Sequence, residues 1–474
     1  MRLYSSNDNY KLYQGSMLDM AEFIEPNSID SIVTDPPYEL NFMGKGWDSS
    51  GIAFQKETWE KCLSVLKPGG YLLAFGGSRT FHRIACAIED AGFEIRDTIM
   101  WLYGSGFPKS MNIGLAIDKK LGIDSKVVSV IDCPDLQDVG EKQKALGNGH
   151  IQSFGQITNA KRLQYEVKEA QNEWAGWGTA LKPSYEPIIV ARKPCEGTTT
   201  DNVMKYGVGG INIDGCRVGE PYKYTIKENG FGSNFMDDNW QPKGNEYEKE
   251  VNGRFPSNVI LTYDETDEKE VCGGMPDTKS AIGVGVHRNT RNSDTVFNDS
   301  SCGLNNTNYD PNRVEGYADS GSVARYFYCA KASKRDRDEG LDKFPTSTKV
   351  FNGKSDESST DMKDVEQRFT TQGKNIHPTV KPTDLMQYLV RLVTPNGGTV
   401  LDPFNGSGST GKGAMYENRD NGKNYHYIGI ELTDEYLPIS KARIEFACND
   451  DSEIVCETVN NQGEIDTVKI ESLF

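Results

Sequence analysis

Apolar and polar positions along this chain follow two periods, and near both ends the periods alternate in a regular order. Ile29 and 31–34 form a short apolar run that stops at Asp35-Pro36-Pro37-Tyr38. Proline has no N–H to give to a ladder, so a strand ends there. Trp59, Cys62, Leu63 and Leu66 recur at helical spacing within 57–66, and Lys67-Pro68-Gly69-Gly70 closes that helix. Residues 71–75 are continuously apolar, as in a strand buried on both faces. Phe81, Ile84, Ala85 and Ile88 make a second helical stripe, closed by Ala91-Gly92, and 95–103 reads as a further strand. Strand, helix, strand, helix, strand predicts a parallel α/β sheet.

The middle of the chain lacks this order. Residues 121–160 show no clear period, 160–174 reads as one helix, and 185–191 as a strand closed by Arg192-Lys193-Pro194. From 195 to 375 the text is rich in Gly, Asn, Asp, Ser and Thr, with apolar islands at 258–262 and 325–329. Parts of 286–315 and 346–374 are expected to order only on a partner. Regular α/β text resumes at 376. Leu385, Met386, Leu389, Leu392 and Val393 form a helical stripe, and 398–402 is a strand. A glycine-rich stretch follows, a helix opens near Ser409, 427–431 is the next strand, and Asp434 is placed to N-cap the last helix. The alternation at 463–470 fits a terminal strand or a solvated acidic tail. The two regular blocks are expected to complete one sheet that the middle interrupts.

Composition narrows the classes. The 474 residues carry a formal charge of −17, with a pI of about 4.9. A chain that coats nucleic acid by bulk positive charge is excluded. The charge is uneven. Residues 1–120 hold 12 basic and 15 acidic groups and 375–448 hold 7 and 8, so these blocks are nearly neutral. The acidity lies in 121–374 (32 and 39) and in 449–474 (1 and 7). No apolar run reaches the ~18 residues of a membrane span, and MRLYSSNDNY has no apolar signal core, so neither a membrane nor export is expected. Ten cysteines without a C-x-x-C pair fit reduced thiols in a cytoplasm, with no metal site.

Two motifs carry chemistry. Asp35-Pro36-Pro37-Tyr38 ends a strand at the sheet edge where α/β proteins bind ligands. Two prolines remove donors, so the turn offers a carboxylate and carbonyls, held rigidly beside an aromatic ring. That surface suits a neutral planar amine with two hydrogens to donate; the plain alternative is a strand-ending turn. The second motif, Asp402-Pro403-Phe404-Asn405-Gly406-Ser407-Gly408-Ser409-Thr410, follows a strand and opens a helix. Glu431 ends the next strand, where a carboxylate can bind ribose hydroxyls. Gly406 to Lys412 also spells G-x-x-x-x-G-K, the start of a phosphate-binding P-loop. Gly413 stands where that loop needs Ser or Thr, and Asp402 would repel phosphate.

Together these motifs resemble the S-adenosylmethionine-dependent amino DNA methyltransferases. Thr34 to Tyr38 resembles the family's catalytic motif, and 401–410 its cofactor loop. His377-Pro-Thr-Val-Lys-Pro382 resembles the segment that precedes that loop. Motif order is similar to the circularly permuted β class, and 41–48, 178–183, 211–217 and 328–333 look like a phage- and prophage-related branch. The resemblance implies a Rossmann-like seven-stranded α/β sheet. Its catalytic half is 1–194, with an irregular insertion at 121–175, and its cofactor-binding half is 376–448. An irregular α+β target-recognition domain occupies 195–375, and an acidic tail 449–474. It implies Asp35, Pro36, Pro37 and Tyr38 as catalytic. It implies Asp402, Pro403, Phe404, Gly406, Ser407, Gly408, Thr410, Glu431, Thr379, Lys381 and Ser16 as cofactor-binding, with Lys381 near the cofactor carboxylate and His377 structural. Gly15-Ser16 departs from the family's Gly-Asp, which predicts weaker cofactor binding.

The implied partner is double-stranded DNA, with a homodimer left open. Met43, Lys45 and Trp47 are candidate base contacts. Arg325, Lys331, Lys334 and Arg335, with Arg337, are either a phosphate-binding stripe or a solvated helix face. Asp at the first motif position leans toward the N6 of adenine rather than the N4 of cytosine. The competing readings are a P-loop nucleotide hydrolase and a non-catalytic DNA-binding homologue.

Overall fold

The two ends of the chain meet in one sheet. The computed structural model describes residues 1–40, 49–103, 110–133, 163–227, 246–264, 277–279, 320–332, 334–350, 370–448, 455–459 and 465–469. The sheet strands are β1 (Arg2–Ser6), β2 (Tyr10–Gln14), β3 (Ile29–Thr34), β4 (Leu66–Phe75), β5 (Glu94–Leu102), β6 (Tyr185–Arg192), β7 (Val259–Asp264), β8 (Tyr328–Ala332), β9 (Thr399–Asp402) and β10 (His426–Glu431). Their order in space is β1-β2-β10-β9-β3-β4-β6-β5-β7-β8. The helices are α1 (Lys56–Val65), α2 (Phe81–Asp90), α3 (Ile113–Leu121), α4 (Thr199–Tyr206), α5 (Lys334–Asp338), α6 (Thr383–Val393), α7 (Ser409–Asn421) and α8 (Leu437–Cys448).

Side-chain alternation along the strands builds two cores. On β4, Tyr71, Leu73 and Phe75 join Leu385, Leu389, Ala414 and Ile444 of α6 to α8. Leu72 and Ala74 face the other way, onto Trp59 and Cys62 of α1 and Ile84 and Ile88 of α2. Helices on both faces explain why residues 71–75 of β4 read as an unbroken apolar run. Each fully buried Leu or Ile contributes about 1.5–3 kcal/mol.

Chain direction sets the position of the site. From β3 the chain passes through α1 to β4 on one side, and from β9 through α7 to β10 on the other. The winding therefore reverses between β9 and β3, which pair in parallel through Val400–Ser31 and Leu401–Ile32. Such a switch point opens a crevice at the carboxyl ends of the strands.

Several sequence expectations change. The sheet holds ten strands rather than seven, because β1 and the apolar islands of the middle, β7 and β8, extend it. A sheet edge offers unpaired backbone groups, so a short apolar segment of any origin can be added there. The sheet is also not wholly parallel. β6 runs antiparallel to both β4 and β5, and β1 to β2. An apolar run records burial but not direction. The helix expected at 160–174 is instead the strand Leu163–Glu169, paired antiparallel with Lys126–Cys133. Leu163, Tyr165 and Val167 alternate with polar residues, which is the period of a strand. Lys67 to Gly70 belong to β4 rather than to a helix stop. Asp434 lies inside a 3₁₀ turn and Thr433 precedes it, so Asp434 is not a cap. Of the segments expected to order on a partner, 286–315 lies outside the described residues, and Ser347–Val350 pairs with Thr370–Gly373. In the tail, Val455–Val459 and Ile465–Lys469 form an antiparallel hairpin. Among the described residues no helix is long and apolar enough to cross a membrane.

Candidate active site

At the switch point, β3 and β9 end side by side and are joined by side chains. Thr34 Oγ1 donates to Asp402 Oδ1 and Thr410 Oγ1 to Asp402 Oδ2, both at 2.7 Å, and Phe404 N donates to Oδ1 at 3.1 Å. Burial pushes the Asp402 carboxyl up to about 6, against these hydrogen bonds. The loop after β9 is then fixed from three sides. Asn405 N donates to Ile430 O (2.9 Å), Asn405 Nδ2 to Ser440 Oγ (2.8 Å), and Tyr427 Oη to Asn405 Oδ1 (2.8 Å). Glu431 accepts Gly406 N and Thr433 N, each at 2.7 Å, and burial pushes its carboxyl up to about 7. Gly406 has φ +52°, and a Cβ there would stand 2.9 Å from His377 Nε2, so the loop needs glycine. Gly408 is different. A Cβ on it would meet Ser440 at 2.6 Å, so it seats the loop against α8 and does not line the crevice.

Facing this loop is a second group of charges. Lys381 Nζ lies 2.7 Å from Asp35 Oδ2 and 3.3 Å from Glu186 Oε2. Tyr38 Oη donates to Glu186 Oε2 (2.6 Å) and Tyr103 Oη to Glu186 Oε1 (3.2 Å). Burial raises the Asp35 carboxyl, and Lys381 opposes that rise. For Lys381, burial disfavours the ammonium, but Asp35 and Glu186 outweigh it and raise the pKa. Two carboxylates and one ammonium leave the group net negative. Asp35 Oδ1 is buried, and among the described residues no donor stands in hydrogen-bond geometry to it. The structure therefore sets Lys381 on Asp35 and Glu186, whereas the sequence expectation put it near a cofactor carboxylate. A buried carboxylate needs a counter-charge, and Lys381 supplies it.

The P-loop alternative fails on geometry. Lys412 Nζ is fully buried and ion-paired with Asp336 Oδ1 (2.6 Å) and Glu339 Oε2 (2.7 Å), so it cannot reach a phosphate. A Cβ on Gly413 would lie 2.7 Å from Gln387 N, so glycine there lets α7 touch the backbone of α6. Asp336 also takes Thr383 N at 2.8 Å, and Arg443 Nη1 donates to Ser407 O at 2.9 Å. Arg337 Nη2 donates to the carbonyls of Asn375 and His377. The stripe at 331–337 thus sends Asp336 and Arg337 inward. Arg335 is exposed, and the side chains of Arg325, Lys331 and Lys334 lie outside the described residues, as do Met43, Lys45 and Trp47.

The two walls enclose a cleft of about 1490 Å³, beyond the usual size for one small ligand. Asp35, Pro36, Pro37, Tyr38, Ser16, Thr379, Lys381, Asp402, Pro403, Phe404, Gly406, Ser407, Thr410 and Glu431 all line it. Ser16 uses its hydroxyl to cap the 3₁₀ turn Met17–Glu22, accepting Leu18 N at 3.3 Å. His377 Nδ1 contacts Thr379 O at 2.6 Å and its ring meets Tyr436 edge-on, a structural arrangement. On the loop wall, a buried carboxylate and backbone groups suit a hydroxyl-bearing ligand, and Asp402 and Glu431 repel phosphate. On the other wall, an unpaired acceptor beside aromatic rings suits a planar amine. Sequence reasoning missed Glu186 and Tyr103. An acidic residue opening the apolar run 187–190 was the available signal.

Comparison with known proteins shows the family. The DNA methylase family is matched over residues 29–442. The type II methyltransferase M.HindIII of Haemophilus influenzae is 24% identical over 160 residues, 33% of this chain and 37% of that protein. The type II methyltransferase M.HpaI of Haemophilus parainfluenzae is 35% identical over 96 residues, 18% of this chain and 30% of that protein. The chain thus matches about a third of the length of these curated relatives. Among solved structures, the cytosine-N4-specific PvuII DNA methyltransferase aligns over 92% of this chain and 87% of its own, at 12% identity and a TM-score of 0.37.

Proposed function

This chain belongs to the DNA methylase family, and we propose that it transfers a methyl group from S-adenosylmethionine to the N6 of an adenine flipped out of duplex DNA. The observation that carries the reading is Asp35 Oδ1, a buried carboxylate oxygen with no hydrogen-bond partner among the described residues, in a cleft whose volume can hold two ligands. A base inside a duplex cannot reach it, so the target must leave the stack.

The chain's residues divide the work. Glu431 would accept ribose hydroxyls, and Asp402, through Thr34 and Thr410, holds the loop of Pro403, Phe404, Gly406 and Ser407 in shape around the cofactor. The bound cofactor supplies an electrophilic methyl group. Asp35 Oδ1 and the Pro36 carbonyl accept the two amine hydrogens, which draws the nitrogen toward tetrahedral geometry and frees its lone pair. Glu186 fixes Tyr38 by its hydroxyl, so the ring presents a fixed face on which the base stacks. The nitrogen becomes cationic as it takes the methyl group, and the net negative set of Asp35, Glu186 and Lys381 stabilises that charge. The proton then leaves along the hydrogen bond to Asp35, whose raised pKa suits it to accept. No strong base is needed beforehand. The parts of 195–375 outside β7, β8 and α5 are assigned to reading the target sequence, since those three elements belong to the central sheet and the packing behind the loop. Adenine is assigned from Asp35, because the family resemblance associates Asp at that position with N6.

The test is Asp35→Ala in the full chain, with a tritiated methyl donor and genomic DNA. Transfer should vanish while cofactor binding by calorimetry stays near wild type; near-wild-type transfer sinks the mechanism. Digestion of the product should yield N6-methyladenine. N4-methylcytosine would overturn the base assignment alone.

A further inference from the structure

The segment 178–184 forms a finger at the mouth of the cleft. Its base is clamped. Ser110 is buried, and its hydroxyl accepts Thr179 N at 2.9 Å and Ala180 N at 3.2 Å. Thr179 Oγ1 accepts Met111 N at 2.9 Å, and Gly178 bridges to Asn112. A Cβ on Gly178 would come 2.3 Å from Ser110 Oγ, so glycine is required for the approach. At the other end, Ser184 O accepts Tyr103 N at 3.0 Å, and Pro183 stiffens the return. Between these two anchors stand Leu181 and Lys182.

Leu181 is 92% exposed, the most exposed large apolar side chain among the described residues. It lines the same cleft as Asp35 and Tyr38, and so does Lys182. Met204 and Phe255 are also well exposed but lie off the cleft. A leucine held in water on a pinned loop adds nothing to folding. Its place beside the catalytic wall gives it a use only when something apolar arrives there.

We propose that Leu181 is a wedge that enters the duplex as the target base leaves, filling the gap against the abandoned partner base, with Lys182 meeting a neighbouring phosphate. This rests on the reading of the chain as a base-flipping DNA methyltransferase. Apolar side chains inserted between base steps hold a distorted duplex open, and a lysine beside them anchors the backbone. The rigid base of the finger matters for the same reason. A wedge on a loose loop would give way before the base stack does.

The experiment uses the full chain and two duplexes carrying the sequence found modified in cells that express the gene. One is fully paired, and the other has an abasic site opposite the target base, where little pairing opposes the flip. Leu181→Ala should lower kcat/KM on the paired duplex by about ten-fold or more and leave the abasic duplex at the wild-type rate. Leu181→Met should restore most of the loss. With 2-aminopurine at the target position, the fluorescence rise on binding should be strong for wild type and weak for Leu181→Ala. Equal loss on both duplexes, or no loss on either, overturns the wedge. A wild-type protein that methylates neither duplex overturns instead the reading on which the wedge rests.

Discussion

Lys381 holds Asp35 at 2.7 Å although 346 positions separate them in the chain. The same ammonium reaches Glu186, so one cation serves two carboxylates from β6 and the turn after β3. Removing it leaves both acids in the cleft wall without a counter-charge.

Lys381→Met should therefore do two things. It should abolish methyl transfer, because Asp35 would take up a proton and lose acceptor strength. It should also lower stability by about 3 kcal/mol, the scale for a broken buried pair. Urea denaturation checks the second effect. Adding Asp35→Asn should recover part of the stability but none of the activity. A single variant as stable as wild type would show that the pair is not a buried one.

Asp402 predicts a pH dependence with a definite sign. Its folded pKa of about 6 lies above the ordinary 3.8, so between these values the folded state binds more protons than the unfolded one. The stability from that retained proton is complete below about 3.8 and is lost as pH rises through about 6. Asp402→Asn keeps the acceptor for Thr34 and Phe404, and Thr410 can turn its hydroxyl to Val33 O, which lies at 3.4 Å. The variant should be more stable than wild type at pH 8 by about 1–3 kcal/mol, and the gap should narrow below about pH 6 and close only toward about pH 4. A gap that widens as pH falls contradicts the assignment.

Gly413→Ser tests why the P-loop reading fails. The change completes the G-x-x-x-x-G-K-S pattern, yet the new Cβ would stand 2.7 Å from Gln387 N and 3.0 Å from Met386 C. Both are backbone atoms of α6 and cannot move aside cheaply. The variant should lose about 1–3 kcal/mol in thermal or urea unfolding and gain no ATP turnover. Nucleotide hydrolysis by the variant would revive the discarded reading.

Much of the α/β order could be read along the chain. The runs that become β3, β4, β9 and β10, and the stripes that become α1, α2 and α6, have periods that hold wherever a segment is buried on a given face. The turn at Asp35 and the loop after Asp402 could also be read, because proline and glycine restrict or free the backbone locally. The antiparallel β6 and the strands β7 and β8 could not. Burial leaves an apolar run without recording which neighbour it pairs with or in which direction.

The sequence by itself determined that the turn at Asp35 and the loop after Asp402 each follow a strand, since strand period, proline stops and glycine freedom act within a few residues. It did not determine their partners. Lys381 resembled a cofactor ligand and Lys412 a phosphate ligand. Folding gave the first to Asp35 and Glu186 and the second to Asp336 and Glu339. Glu186 drew no attention as the opening residue of a strand, yet it positions Tyr38, Tyr103 and Lys381. The reason is the cost of burying charge. An ionised group taken out of water must find its opposite nearby, and which opposite is nearby depends on how distant strands are brought together rather than on spacing along the chain.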